Sequence, residues 1–336
     1  MVVAGIGAFG GSAAAHERAF RTLSKTLMWT LALALGLSVA GLWLWPARVW
    51  EYAIGDVPRF RGLMSEPASL GVAAGLLVGF AWAVLRNPLL RFPLVGLGLV
   101  SLVLTGSRTP LIAMLIAVLF VAAVHKSAKT LFLAGTGVAV VVALGLAAGV
   151  QLDRGTVDRA VRANSLTNLS GRLALWQYGW ELGRGQPVFG RGLTMGSQAL
   201  APDGSTMPAG GSSLANGHRD GREVARATFH NGYLQSYLDS GLMGALLYLL
   251  VVAAAGWRAL AAEKTAESGM ILYVMVFLAV SNLGQNAIQG PSTVYGVVFW
   301  LLVAAAATLP RRQGRLETKG AVIHQAETAA CDNARP

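Results

Sequence analysis

The chain has 336 residues, of which 54% are hydrophobic and 13% charged, with a mean hydropathy of +0.54. Soluble domains carry about 25% charged residues, so this composition excludes an ordinary water-soluble enzyme and points to lipid. The net charge of +11 would suit a nucleic-acid binder in a soluble chain, but most basic residues here lie in short segments beside uncharged runs, and no nucleic-acid partner is expected.

In chain order, an N-terminal segment with scattered basic residues (1–26) precedes the uncharged run Leu27 to Pro46. That run reads as a retained signal anchor, because no small-x-small cleavage site follows Trp45. Further spans are expected at about 68–85, 88–106, 109–124, 130–150, 236–257, 268–285 and 293–309, about eight in all. Apolar runs of about 20 residues are what a helix needs to cross hydrocarbon with its backbone hydrogen bonds met internally. Trp43, Trp45, Trp50 and Tyr52 suit an interfacial aromatic belt.

The basic residues test the alternation of these spans. Arg18, Arg21 and Lys25 precede the first; Arg86 and Arg91 separate the second and third; Lys126 and Lys129 separate the fourth and fifth. Arg258 and Lys264 separate the sixth and seventh, and Arg311, Arg312 and Arg315 follow the eighth. All fall on one side, which the positive-inside rule makes the cytoplasm. The expected organisation is a cytoplasmic N-terminus (1–26), five transmembrane helices (27–150), an extracytoplasmic loop carrying the site (151–235), three transmembrane helices (236–309) and an unstructured cytoplasmic tail (310–336). The fold class is all-α, a polytopic transmembrane bundle.

Between Arg91 and His125 the one charged residue is Arg108. The stretch is too long for one span and is expected to turn at Gly106-Ser107-Arg108-Thr109-Pro110. Limbs of about 15 residues fall short of the roughly 20 that a crossing needs, so the turn should lie below the outer surface. An arginine there either snorkels to lipid phosphates or meets an anion that its planar fork can grip with two hydrogen bonds.

In the loop, Ser170 to Trp176 starts a helix, with Leu173, Trp176 and Trp180 at helical spacing and Gly183 and Pro187 to stop it. Arg172 sits in its first turn, where the helix dipole disfavours a cation, so its placement asks for another reason such as an anionic ligand. The stretch 196–221 is rich in Gly, Ser, Ala and Pro and reads as a mobile flap. Next comes Phe229-His230-Asn231-Gly232-Tyr233-Leu234-Gln235, leading into Asp239-Ser240-Gly241-Leu242-Met243-Gly244. His230 lies where the loop enters the membrane, and imidazole is the side chain best suited to take a proton near neutral pH. Asn231 and Gln235 are candidates to bind sugar hydroxyls or to cap the helix, and Asp239 is a second base or an orienting partner. Cys331 is the one cysteine, and no His or Cys cluster has metal-ligand spacing.

These pieces together resemble the O-antigen ligase and polymerase superfamily, membrane glycosyltransferases that act on lipid-linked glycans. The resemblance is carried by Thr105-Gly-Ser-Arg-Thr109, Ser170-Gly-Arg-Leu with Trp176, Pro187-Val-Phe-Gly-Arg-Gly192, Phe229-His-Asn-Gly-Tyr-Leu234 and Asp239-Ser-Gly-Leu-Met-Gly244, in that order around one large loop. It implies a GT-C-like, metal-independent, inverting transfer from undecaprenyl diphosphate in a bacterial inner membrane, with no cofactor. Arg108 and Arg172 would bind the diphosphate and His230 would activate the acceptor. The implied partners are the lipid-linked oligosaccharide donor, a glycan or lipid A-core acceptor, membrane lipids and other polysaccharide-export proteins. Ligase and polymerase are not separable on these residues. The family commonly has more spans than are read here, so the expected difference is an even number of N-terminal helices. A second class stays open on the residues alone, a transporter or flippase for a lipid-linked or anionic solute, served by Arg108 with Asn282, Gln285, Asn286 and Gln289. It would need a polar path to the cytoplasmic side, and the inner halves of the spans show none.

The one-sided basic residues yield a topology prediction. A reporter active only outside the cytoplasm should be active when fused near Gly210 and silent near Lys126 or after Arg315. A silent fusion at Gly210 would remove the basis of the site assignment.

Overall fold

The computed structural model describes residues 13–51, 59–125, 172–192, 229–286 and 294–308. The fifth expected span, the Ser170 cap, the glycine-rich stretch 196–221 and the tail with Cys331 lie outside them.

The described chain is helical apart from one minimal ribbon. Helix α1 (Ala13–Leu44) leads through a single turn, α2 (Pro46–Val49), to the antiparallel pair β1 (Trp50–Glu51) and β2 (Arg59–Phe60). Then follow α3 (Pro67–Val84), α4 (Pro88–Leu104), α5 (Arg108–Val124), α6 (Arg172–Arg184), α7 (Gly232–Ala261), α8 (Ala266–Ser281) and α9 (Val294–Thr308). Seven of the eight expected spans are therefore helices. By length and composition α1, α3 and α7 can cross a membrane, and α4, α5, α8 and α9 are shorter apolar helices. The protein is an all-α polytopic membrane protein.

The centre of the bundle is α3, buried from Pro67 to Ala81 almost without interruption. Lipid gives helices no hydrophobic reason to associate, so close backbone approach has to supply the packing. Gly71, Gly75 and Gly79 form a stripe at four-residue spacing, faced by Pro110, Phe277 and Tyr273 respectively. The Tyr273 hydroxyl also donates to the Gly75 carbonyl at 2.9 Å, and its ring stacks on Phe277. Any side chain on the stripe would push α5 or α8 away.

The two ends of the bundle differ in chemistry. At one, Arg21 pairs with Glu267 at 2.9 Å, Lys264 donates to the Val124 carbonyl, and Arg258 donates to the Ala307 carbonyl at 2.6 Å. At the other, α4 and α5 meet in a tight turn. There Thr105 Oγ1 donates to the Leu102 carbonyl and accepts from the Ser107 N–H, and Gly106 has φ 60°. The limbs have 17 residues each, about 25 Å of helix, close to the short length expected for them.

Helix α7 is not the single span that its apolar pattern reads as. Gly241 has φ 65° and ψ −168°, and the chain folds back there into two limbs. The rings of Tyr233 and Tyr248 lie 5.8 Å apart, whereas a straight helix would separate them by about 22 Å. The apex is clamped by 187–192. Leu242 N–H donates to the Pro187 carbonyl (2.8 Å), Arg191 N–H to that of Leu238 (2.8 Å) and Gly192 N–H to that of Asp239 (2.9 Å). The two glycine-rich motifs of the loop are thus two halves of one joint.

Gly190 presses its backbone against Gly241, so a Cβ there would lie 2.4 Å from the Gly241 nitrogen and 2.7 Å from the Asp239 carbonyl carbon, at φ 69°. Neither backbone can yield alone. Gly190→Ala is expected to lower the apparent melting temperature of the detergent-solubilised protein by an amount equivalent to about 1–3 kcal/mol. Gly36→Ala and Gly256→Ala, where nothing lies within 4 Å, serve as controls. Equal melting of Gly190→Ala and the controls would contradict the clamp.

Candidate functional site

The folding back of α7 brings its N-terminus to the turn that ends α8. Gly232 N–H lies 2.9 Å from the Asn282 carbonyl and 3.1 Å from that of Gln285. The Tyr233 hydroxyl donates to the Ala279 carbonyl at 2.8 Å, and Asn282 Nδ2 donates to the Tyr248 hydroxyl at 3.3 Å. Asn231 caps the limb, its Oδ1 accepting from the N–H groups of Tyr233 (3.0 Å) and Leu234 (3.1 Å). Of the two roles open to Asn231, the geometry shows the cap.

His230 stands just before this cap with φ 49°, the one non-glycine residue of positive φ among the described residues. Left-handed backbone is uncommon outside glycine and persists where the surroundings over-determine it. Here Asn231 and Gly232 fix the chain on one side. On the other, Trp176 Nε1 donates to the Phe229 carbonyl at 2.9 Å, and Phe229 is fully buried.

Helix α6 supplies that second support. It lies on the first limb of α7 through two small residues one turn apart, where a Cβ on Gly179 would meet Phe229 at 2.8 Å and one on Gly183 would meet Tyr237 at 2.2 Å. Leu175, Phe229 and Leu238 make a small core of their own, and Trp180 stacks on Tyr237 at 5.2 Å. The helix expected in the loop exists over Arg172–Arg184, and the tryptophans divide the work: Trp176 holds the histidine segment, Trp180 packs.

The head of α6 carries Arg172, half-buried, with Nη1 donating to the Gly284 carbonyl at 2.7 Å. A carbonyl at the C-terminal end of α8 is therefore part of the reason for a cation in this first turn. Burial lowers its proton affinity from the usual arginine value. A Cβ on Gly284 would lie 2.6 Å from Thr109 Oγ1 and 3.1 Å from Arg172 Nη1, so the head of α5 reaches the same turn. Arg108 is the first residue of α5 and is exposed. The N-termini of α5, α6 and α7, each the positive end of a helix dipole, thus converge on residues 282–285.

His230 is held below the usual histidine range, by burial first and by the positive charges of Arg172 and Arg59, against the negative charge of Glu66, which acts upward. Gln235, buried, donates from Nε2 to Asp239 Oδ1 at 2.9 Å. The structure thus brings His230 and Arg172 together, sets the head of α5 with Arg108 beside them, and places Asn231, Gln235 and Asp239 along the re-entrant limb. Sequence reasoning passed over Arg59 and Glu66. The available signal was that no acid follows Glu66 until Asp153. Among the described residues no group of three or more His, Cys, Asp or Glu could hold a metal ion.

Residues 93–249 match the protein-family model described as O-Antigen ligase. The exopolysaccharide production protein ExoQ of Rhizobium meliloti (strain 1021) is 29% identical over 202 residues, covering 56% of this chain and 41% of that protein. This chain therefore spans less than half the length of that curated relative. The family match takes in Arg108, Arg172, His230 and both halves of the Gly190–Gly241 joint, and the resemblance to the O-antigen ligase and polymerase superfamily stands on it. Arg59 and Glu66 precede the matched stretch.

If Trp176 holds the histidine segment, Trp176→Phe should keep the packing and lose only the donor. The Phe229 carbonyl is then left unpaired, at a cost of about 1–3 kcal/mol. A fall in apparent melting temperature is expected, and no fall would show the bond to be dispensable.

Proposed function

We propose, from its kinship with the O-antigen ligase and polymerase superfamily, that this chain transfers or polymerises glycan carried on undecaprenyl diphosphate at the outer face of a bacterial inner membrane. The observation that carries the reading is the convergence of three helix N-termini and Arg172 on one turn, with His230 beside them. Such a place attracts an anion and sets a base next to it.

In the transfer, an acceptor hydroxyl attacks the sugar carbon bonded to the diphosphate. A new carbon–oxygen bond forms as the bond to phosphate breaks, with inversion, and the bond pair leaves with the lipid diphosphate. His230 takes the acceptor's proton. Arg172, Arg108 and the helix heads meet the charge growing on the leaving group, the task a divalent cation performs in many other phosphate-transferring sites, so the step runs without a metal. A base acts when neutral, and the lowered proton affinity of His230 leaves it neutral at ordinary pH.

The transporter reading finds less support. Of the buried polar side chains, Ser101, Thr105, Ser107, Gln235, Ser236, Ser281, Asn282 and Gln285 lie toward the site, Ser38 lies beneath the passage into α3, and Ser24 and Ser268 lie toward the opposite end. Among the described residues they form no continuous path between the two.

The deciding assay offers purified protein a synthetic undecaprenyl-diphosphate oligosaccharide and looks for longer products or transfer to an acceptor. His230→Ala should still bind the donor while transfer falls by about 10²–10⁴. Arg108→Lys and Arg172→Lys should lose most activity, because lysine keeps the charge without the two-pronged fork. Wild-type transfer should hold its plateau through neutral pH, fall only in acid as His230 protonates, and be indifferent to chelators. Near-normal turnover in His230→Ala, or its loss on chelation, would end this mechanism.

A further inference from the structure

Amide side chains crowd the turn after α8, and the reaction above gives them no task. Of the four set together in the sequence, Asn282 is committed, its Nδ2 donating to the Tyr248 hydroxyl, and Gln289 lies outside the described residues. Gln285 and Asn286 remain. Gln285 is 3% exposed and Asn286 half-buried, and Gln285 Nε2 and Asn286 Oδ1 are both closed off from solvent with no hydrogen-bond partner among the described residues. Gln235, 2% exposed, is in the same condition at Oε1, since its bond to Asp239 uses only Nε2. Six buried side-chain atoms lack a partner among the described residues, and four of them, counting Ser281 Oγ, fall in this limb and this turn, so the feature belongs to the site.

Backbone hydrogen bonds make these residues neighbours. Gly232 N–H is held by the carbonyls of Asn282, at 2.9 Å, and of Gln285 itself, at 3.1 Å. Gln235 follows Gly232 by nearly one helical turn, so it stands on the face of the limb that meets this turn. Gly284, immediately before Gln285, carries the carbonyl that Arg172 grips at 2.7 Å, and His230 comes two residues before Gly232. The amides are therefore anchored to the same segments that carry the base and the arginine.

A buried polar atom without a partner forgoes the bonds it makes with water, and native proteins keep few such atoms outside places where a ligand or ordered water completes them. The chemistry of these three narrows the ligand. Two carbonyl oxygens need donors, which an ionised diphosphate lacks, and one amino group needs an acceptor. Carboxamides carry no charge, so they add nothing to the pull on an anion that Arg172 and the helix heads already exert. A hydroxyl both donates and accepts, and a sugar ring presents hydroxyls on adjacent carbons.

We propose that Gln285, Asn286 and Gln235 form a sugar subsite, in which their free amide atoms take the ring hydroxyls of the residue bonded to the diphosphate and so determine which glycan is accepted. This rests on the diphosphate being bound at Arg172. The sugar next to the diphosphate is favoured over the acceptor because Gln285 is the chain neighbour of the carbonyl that orients Arg172. Such a subsite selects by rejection: a ring lacking the right hydroxyl leaves an amide buried and unpaired, whereas the right one completes it. The amides take no part in moving the proton or the leaving group.

The test offers the full-length protein in nanodiscs undecaprenyl diphosphate, bare or carrying a single glucose, galactose or N-acetylglucosamine, and measures equilibrium binding. Wild type is expected to bind one loaded carrier about ten- to a hundredfold more tightly than the bare one, and Gln285→Leu to lose that margin while binding the bare carrier normally. Without ligand, Gln285→Leu should melt no lower than wild type, because no bond of Nε2 is lost; a lower melting temperature would make it a packing residue and overturn the proposal. Removing single hydroxyls from the preferred sugar should cost wild type the margin at one position and cost Gln285→Leu nothing there. A soluble disaccharide of that sugar should bind both proteins alike; a loss confined to it would give the amides to the acceptor and overturn the assignment. Equal binding of bare and loaded carriers by wild type, or an undiminished margin in Gln285→Leu, overturns it too and leaves the amides to ordered water. Should the variant fail to fold, the deoxygenated series on wild type decides alone, and indifference to every hydroxyl overturns the proposal. Failure of the underlying reading looks different, because wild type would then not bind the bare carrier.

Discussion

Two glycine backbones in contact set the geometry on which the site depends. Gly190 and Gly241 both take the left-handed conformation, and they touch where 187–192 crosses the apex of α7. Because Gly241 is turned, the first limb of α7 runs back along the second, and Gly232 reaches the carbonyls that close α8. Because Gly232 is there, Asn231 caps the limb beside the 282–285 turn, and His230 arrives next to Arg172. A residue with a side chain at either glycine would undo this sequence of consequences from its first step.

The resulting site is electrically crowded. Three helix heads and two arginines supply positive character, and Glu66 supplies negative character from outside the stretch that matches the family. One nitrogen of Arg172 is committed to the Gly284 carbonyl, which holds the fork in orientation, and under the proposed function the same guanidinium would meet the anion. A partly committed arginine loses less freedom on binding than a free one.

Much of this could be read in the residues. Uncharged runs predicted the helices, the lone Arg108 predicted the turn between short limbs, and the spacing of Leu173, Trp176 and Trp180 predicted α6. The kink in α7 could not be read, because Gly241 sits inside an apolar run and a lone glycine there is tolerated in a straight helix. What turns it is a clamp from a segment some fifty residues earlier, a contact with no local signature. The β1–β2 ribbon is too short for any alternation to register. Arg59 and Glu66 stand ahead of a span with no motif to mark them, and only in the fold do their charges act on His230. For Arg172 the reasoning expected an anion and did not foresee the Gly284 carbonyl.

The short helices around the site also act on the lipid. Helices α4 and α5, which turn Leu89, Phe92, Ile112 and Ile116 outward, have 17 residues each, about 25 Å of helix against roughly 30 Å of hydrocarbon. A bilayer meets such a deficit by thinning locally, at a fraction of a kcal/mol per ångström. The leaflet bordering this flank would then dip toward the helix heads. A long-chain carrier could bring its headgroup to Arg172 by lateral diffusion alone, its tail never leaving the other lipid chains. Hydrophobic mismatch, commonly a strain on a membrane protein, would under the proposed function serve as a ramp for the lipid-linked donor.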